Sequence, residues 1–366
     1  MSAIRIEVLT EGFRSPNGRA FLTPLVVHRD ALVRSGLEIS LRQSADRVRD
    51  ADIVVVDSKY WRNNWGRTEQ RIWENVETLR SRAPKLVFAD TGDSAGWVQA
   101  KILPHVDAYW KGQLLRDRTT YLRPLYGHRL YSDYYHRTKG VIDDQPEWST
   151  PVADPKHLAK LQLGWSSALG KYDWLGPYCM ALYDKMPIVG LLRPTRHFVP
   201  ASTSRPIALH CRMGLSYPRA SIAWQRQQIA RRLPQGAATG KISRRRYLRE
   251  LATSRVVVSP FGFGEITLKD FEVLLSGGLL LKPDMSHMDT WPDLFVPGLT
   301  IAAHSWDLSD FEEVVQRVLG AYHNHVECAA EGQRRYRAHL HDPNLFVAHL
   351  SSLVAAVRAD KVAIAS

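Results

Sequence analysis

The chain has 366 residues, 45% apolar and 23% charged, which excludes wholesale disorder and gives length for two domains, each with its own core. A formal charge of +12 predicts attraction to anions of any kind. Three scattered cysteines, Cys179, Cys211 and Cys328, leave one unpaired in any disulfide scheme and lack metal-ligand spacing, so a reducing compartment and no structural metal are expected.

No uncharged apolar run approaches the ~18 residues needed to span a bilayer. The first residues lead straight into a strand with no secretion signal, so the expected location is cytoplasmic. Residues 4–9 form that strand, a loop over 10–18 follows, and a helix is predicted over 20–35, with Pro24 in its first turns and Gly36 closing it. Strands over 37–41, 53–56 and 86–89 flank a helix over 69–82 that turns Ile72, Trp73, Val76 and Leu79 inward. This alternation predicts a parallel sheet covered on both faces. Two loops leave strand ends, R-S-P-N-G at 14–18 and D-T-G-D-S at 90–94. An aspartate after a strand often caps the next turn, and that reading suits one of Asp90 and Asp93.

Residues 101–144 are rich in Tyr, Arg and His. Such a segment suits saccharide or lipid-phosphate recognition, and it also suits a plain domain surface. A helix over 155–170 is predicted to close the first domain, and Pro187, Pro194, Pro200 and Pro206 mark a linker. The second domain opens with a strand over 207–211 and a helix over 224–233. Arg212 sits at that strand's end, where a guanidinium can meet a diphosphate bidentately. The basic cluster at 241–249 lacks aromatic interleaving beyond Tyr247 and no nucleic-acid-binding motif accompanies it, so nucleic acid is not the expected partner.

The most informative stretch runs over residues 247–284. Val256, Val257 and Val258 read as a buried strand, and S-P-F-G-F-G at 259–264 as a glycine-punctuated loop leaving its end. Leu268, Phe271 and Leu275 recur at helical spacing, Gly277 and Gly278 stop the helix, and Leu279 restarts a strand. Lys269 and Glu272, three apart, project from neighbouring positions of that helix. Alone, such a pair reads as solvated surface residues, and a lone Gly-x-Gly loop is a weak signal. Together with the loop and the helix start, whose N–H groups favour anions, they suit a nucleoside diphosphate: phosphates at Lys269, ribose hydroxyls at Glu272. A strand over 300–303 and helices over 308–319, 326–340 and 344–359 complete the chain.

The set Tyr247, Ser254, Pro260, Gly262, Thr267, Lys269, Glu272 and Gly277 resembles the nucleotide-sugar site of GT-B glycosyltransferases, of the exostosin-like and bacterial group 1-like kinds. Lys269 stands where that pattern usually has Arg, and Thr267 where it has Ser. Six residues separate Glu265 from Glu272, where the broader retaining enzymes have seven. The resemblance implies an α/β fold of two Rossmann-like domains facing each other across a cleft: an acceptor domain over 1–190, a donor domain over 205–343, and a last helix in 344–366 returning to the first. It implies donor contacts from Arg212, Gly262, Gly264, Thr267, Lys269 and Glu272, and acceptor-side contacts from Arg14, Asn17 and Gly18. A catalytic carboxylate is expected among Asp93, Asp90 and Glu265, with His28 a further base candidate. Lys111, Arg123 and Tyr126 match the context of an insertion in bacterial relatives.

The implied reaction moves a sugar from a nucleotide-sugar donor, a substrate rather than a cofactor, to a saccharide or lipid-linked acceptor, as in bacterial surface polysaccharide or glycoconjugate synthesis. An anionic membrane surface is a further expected partner. No metal is expected, because Asp143 and Asp144 lie in a polar loop and the phosphate position offers cations instead. A sugar-nucleotide epimerase of the same fold and a non-catalytic binding module stay open. A nicotinamide oxidoreductase does not, because Gly12 and Gly18 do not form Gly-x-Gly-x-x-Gly.

Overall fold

The computed structural model describes residues 3–359. Its first sheet is built from β1 (Ile4–Leu9), β2 (Leu37–Arg42), β3 (Ile53–Asp57), β4 (Lys85–Asp90) and β5 (Ala108–Lys111). After β6 (Gln113–Leu115), which leaves the sheet, β7 (Leu161–Leu163) completes it as an edge strand. The spatial order is β2-β1-β3-β4-β5-β7 and every pairing is parallel. Chain direction across the sheet reverses between β1 and β3, so the loops leaving those two strands diverge and open a crevice at their carboxyl ends. β3 is buried along its whole length, as the unbroken run Ile53, Val54, Val55, Val56 requires.

The second sheet holds β8 (Ile207–His210), β9 (Ser254–Val258), β10 (Leu279–Pro283) and, beyond β11 (Met288–Thr290), β12 (Ala302–His304), in the order β12-β10-β9-β8, again all parallel. Alternation along β9 sends Val256 and Val258 to the outer face, against Phe311, Val314 and Val318, while Val257 joins the larger core shared with the first sheet. The two halves are stitched by an antiparallel ribbon: β6 pairs with β11, Leu115 opposite Met288 and Gln113 opposite Thr290. Ser166 N donates to Trp291 O at 2.8 Å beside it.

The final helix, Pro343–Arg358, crosses back onto the first half as expected. Its Phe346 packs edge-on against Trp165 at 5.2 Å, and His349 Nε2 lies 3.0 Å from Gly164 O. Two local expectations are corrected and one element is added. The helix over 20–35 is two helices, Pro16–Val27 and Arg29–Arg34; the first starts earlier because Ser15 caps it, accepting from Gly18 N. The helix over 155–170 is a 3-10 turn, the edge strand β7, and another 3-10 turn, because those residues extend the sheet beside β5. Residues 244–253, which overlap the basic cluster at 241–249 and for which no element was expected, form a helix capped by Ser243 that buries Leu251 alone.

Candidate active site

The carboxyl ends of both sheets face one cleft of about 590 Å³. One wall comes from the first half: Ser15 and Asn17 after β1, Lys59 and Arg62 after β3, residues 90–93 after β4, and Gly112 and Gln113 after β5. The opposite wall is the loop after β9, Gly262, Phe263 and Gly264, with Ile266, Thr267 and Leu268 leading into the helix Leu268–Ser276. Tyr217 and Arg226 close the side.

The walls meet at Gly264. A Cβ there would sit 1.9 Å from Asp93 O, so only glycine lets the two loops touch. Tyr131 Oη donates to Gly262 O at 2.6 Å and Arg129 Nε to Phe263 O at 2.5 Å, which pins the loop from the first half. Its helix start is fixed from below. Asp270 accepts from Thr267 N at 2.8 Å, from Ser259 Oγ at 2.6 Å and from Lys282 Nζ at 2.8 Å, and the Asp270–Lys282 pair has no solvent exposure. Thr267 therefore serves as the helix cap, with its side of the cleft still lined by it.

The four carboxylates singled out by sequence have four different settings. Asp90 is buried: Lys111 Nζ at 2.6 Å, Tyr109 Oη at 2.7 Å and Gly92 N at 2.8 Å all donate to it. Burial raises its pKa, but the Lys111 charge and these hydrogen bonds outweigh that, leaving it below the usual range. It is the aspartate that caps its own turn, and its oxygens are occupied; Lys111 is likewise spent on it. Glu265, expected as a catalytic candidate, is fully buried and bridges the halves instead, accepting from Ser94 Oγ at 3.1 Å and Ala95 N at 2.9 Å.

Asp93 is the exposed one and lines the cleft. Its carboxylate accepts from Asn17 Nδ2 at 2.6 Å, and Asn17 also donates to Thr91 O at 3.0 Å. Its backbone is held by Gln113 Nε2 at 2.6 Å from Asp93 O, between Asp90 and the Glu265 bridge. An exposed carboxylate, held by Asn17 at one oxygen, thus stands on a loop fixed on both sides. Glu272 is placed elsewhere. It accepts from Arg244 Nη1 at 2.8 Å and Tyr247 Oη at 3.0 Å, and borders a second groove lined by Tyr172, Trp174 and Leu248 rather than the main cleft.

The expected cations also part company. Arg212 is tied bidentately to Glu250 and to Thr239 O, and it does not line the cleft. Lys269 Nζ donates to Arg212 O at 3.0 Å and Val258 O at 2.7 Å, clamping the ends of β8 and β9 behind the loop. Burial lowers its pKa to about 8. Arg226, which sequence reasoning missed, lines the cleft beside the glycine loop, opposite Lys59 and Arg62 of the first half: Nε donates to Phe261 O at 2.8 Å and the guanidinium lies over the Tyr217 ring at 4.7 Å. A helical arginine 35 residues before Phe261 carries no local signal; only the fold brings them together. Of the acceptor-side residues, Asn17 lines the cleft, Gly18 is buried in the helix start beside Ser15, and Arg14 is exposed, 4.0 Å from Asp184. His28 lies at the far end of the first helix against Phe346, away from the cleft. Arg123 pairs with Asp133, and Tyr126, buried, accepts from Asp143 N.

One more buried acid belongs to this region. Asp57, at the end of β3, accepts from Thr10 Oγ1 at 2.9 Å, Lys59 N at 3.0 Å and Thr91 Oγ1 at 3.2 Å, and burial pushes its pKa up to about 6. It fastens the loops of β1, β3 and β4 to one another at the point where the sheet reverses.

No family model matches the sequence, and no curated protein matches it. Solved structures similar to it over nearly its whole length include HepE from Anabaena in complex with UDP-glucose, at 8% identity, covering 96% of this chain and all of that one, with a TM-score of 0.45. An alpha-glucosyltransferase in complex with UDP-glucose and DNA shares 9%, covering 97% and 100%, at 0.42. A glycosyltransferase from Rickettsia africae shares 8%, covering 98% and 100%, at 0.41. With scores below 0.5, what this chain does rests on its own residues.

Proposed function

We propose that the chain is a GT-B glycosyltransferase that moves a sugar from a nucleotide-sugar donor to a saccharide or lipid-linked acceptor. The observation that carries this reading is the cleft itself: an anion-favouring loop and helix start on one wall, and a fixed, exposed carboxylate, Asp93, on the other. The donor's diphosphate lies against residues 262–268, where Arg226 and the helix N–H groups offset its charge. Lys269 supports that wall from behind through the Val258 and Arg212 carbonyls. Asp93, oriented by Asn17, takes the proton of the acceptor hydroxyl as the anomeric bond breaks and the nucleoside diphosphate leaves. Charge neutralisation by these groups supports a reaction that needs no divalent metal. The pathway served is surface polysaccharide or glycoconjugate synthesis.

Incubation with a panel of nucleotide sugars and mono- and oligosaccharide acceptors tests this. Release of nucleoside diphosphate with a glycosylated product, unaffected by chelator, is expected. Isomerised donor as the product identifies an epimerase, and saturable binding without turnover a binding module.

A further inference from the structure

Large apolar side chains exposed singly are normal, but a contiguous group marks a surface that meets something. Seven of the fourteen such side chains among the described residues fall within residues 174–189. Leu175, Tyr178 and Leu182 recur at i, i+3 and i+7, so they share the outer face of the helix Gly176–Tyr183, while Met180 on its other side is buried. Trp174 precedes them, and Met186, Ile188 and Val189 continue the exposed run after the helix.

The unpaired charge beside this face is of one sign. A groove lined by Trp174, Leu175, Leu248, Arg245 and Arg249 joins it to the helix Arg244–Thr253. Arg245 and Arg249 lie four apart, are exposed, and have no hydrogen-bond or ion-pair partner for their side chains among the described residues; the same holds for Lys185, Arg193 and Arg196. The neighbouring carboxylates are already engaged: Glu272 by Arg244, Glu250 by Arg212 and Arg246, Asp184 by Phe13 N and Arg14, Asp173 facing Lys171.

We propose that this face docks the chain on an anionic lipid bilayer. Trp174 and Tyr178 are suited to the headgroup level, where an amphipathic ring is half wet, and Leu182 and Ile188 enter the acyl boundary. The unpaired arginines and lysine meet lipid phosphates. No helix among the described residues is long and apolar enough to cross a membrane, so attachment is in the plane of the surface. A second copy fits this face less well, because pairing it with itself brings unpaired cations together. The inference goes beyond the proposed transfer reaction and does not depend on it.

Sedimentation of the full chain with vesicles tests it. Binding is expected to vesicles of phosphatidylcholine mixed with phosphatidylglycerol, to be weak with phosphatidylcholine alone, and to fall as salt rises. Arg245→Gln with Arg249→Gln should weaken binding about 30-fold, from roughly a fivefold contribution per cation near the surface. Tyr178→Ser with Leu182→Ser, both exposed and so compatible with the fold, should weaken it by about tenfold or more at constant lipid charge. Absence of binding by the wild-type chain overturns the proposal, as does equal binding to neutral vesicles. A concentration-dependent dimer that is lost in the serine variant, without vesicle binding, assigns the face to protein contact and overturns it too.

Discussion

Glu265 shows how far a residue's setting departs from its sequence neighbourhood. Both its oxygens bind groups of the opposite half, Ser94 Oγ and Ala95 N, within a fully buried contact. Its replacement by Ala leaves Ala95 N without an acceptor, which costs about 1–3 kcal/mol of stability. Turnover per folded molecule should change far less than the melting temperature, and Glu265→Gln, which keeps an acceptor oxygen, should recover part of the loss. A large fall in turnover with no change in melting would show that the carboxylate acts in chemistry. Lys269 gives a residue-scale dependence on pH. Its folded pKa of about 8 lies below the ordinary lysine value, so above pH 8 the folded chain binds fewer protons than the unfolded one. This residue's contribution therefore makes stability rise as pH goes from about 8 toward 10. Denaturant unfolding across that range should show the stability of wild type gaining on that of Lys269→Met as pH rises; parallel curves would contradict the burial of the amine.

At the scale of elements, the loop after β9 does its work by lying against the first half, and Gly264 permits that approach. Gly264→Ala places a methyl group into Asp93 O, a backbone atom that Gln113 holds in place. Forced overpacking of this kind costs about 1–3 kcal/mol. The expected result is a lower melting temperature with faster proteolysis of residues 259–266, and unchanged rates would show that the walls stand apart in solution. The strand, glycine loop and helix here were legible in the sequence because β-branched runs, glycines and 3.6-residue spacing are local signals. The final helix's return was legible only through the resemblance. Other parts were not legible, for physical reasons. The edge strand β7 has three residues and no pattern of its own; its pairing with β5 creates it. Tyr109, Tyr121, Tyr131 and Tyr135 belong to the segment that suits saccharide or lipid-phosphate recognition or a plain domain surface, yet they are buried, and Tyr131 anchors the glycine loop. Arg226 and Asp57 entered the site through tertiary contacts alone, and Arg212 left it because Glu250, on a helix with no strong sequence signal, claims it.

In the whole molecule, two parallel sheets point their carboxyl ends at one another, and three kinds of contact hold them there. The β6–β11 ribbon supplies backbone pairing, Glu265 and the tyrosines supply side-chain clasps, and the final helix spans from the second half back to the first. These fix the anion-favouring wall opposite Asp93, and the proposed transfer stands on that opposition. The most direct measurement is a comparison of Asp93→Asn with wild type on the nucleotide sugar that the chain turns over, following donor affinity by calorimetry and turnover by nucleoside diphosphate release. Asp93 is exposed, with Asn17 its side-chain partner, so the variant should fold and bind donor as wild type does, while turnover falls about 10²- to 10⁴-fold, the usual contribution of a general base. Turnover equal to wild type in a folded, donor-binding Asp93→Asn chain would contradict it.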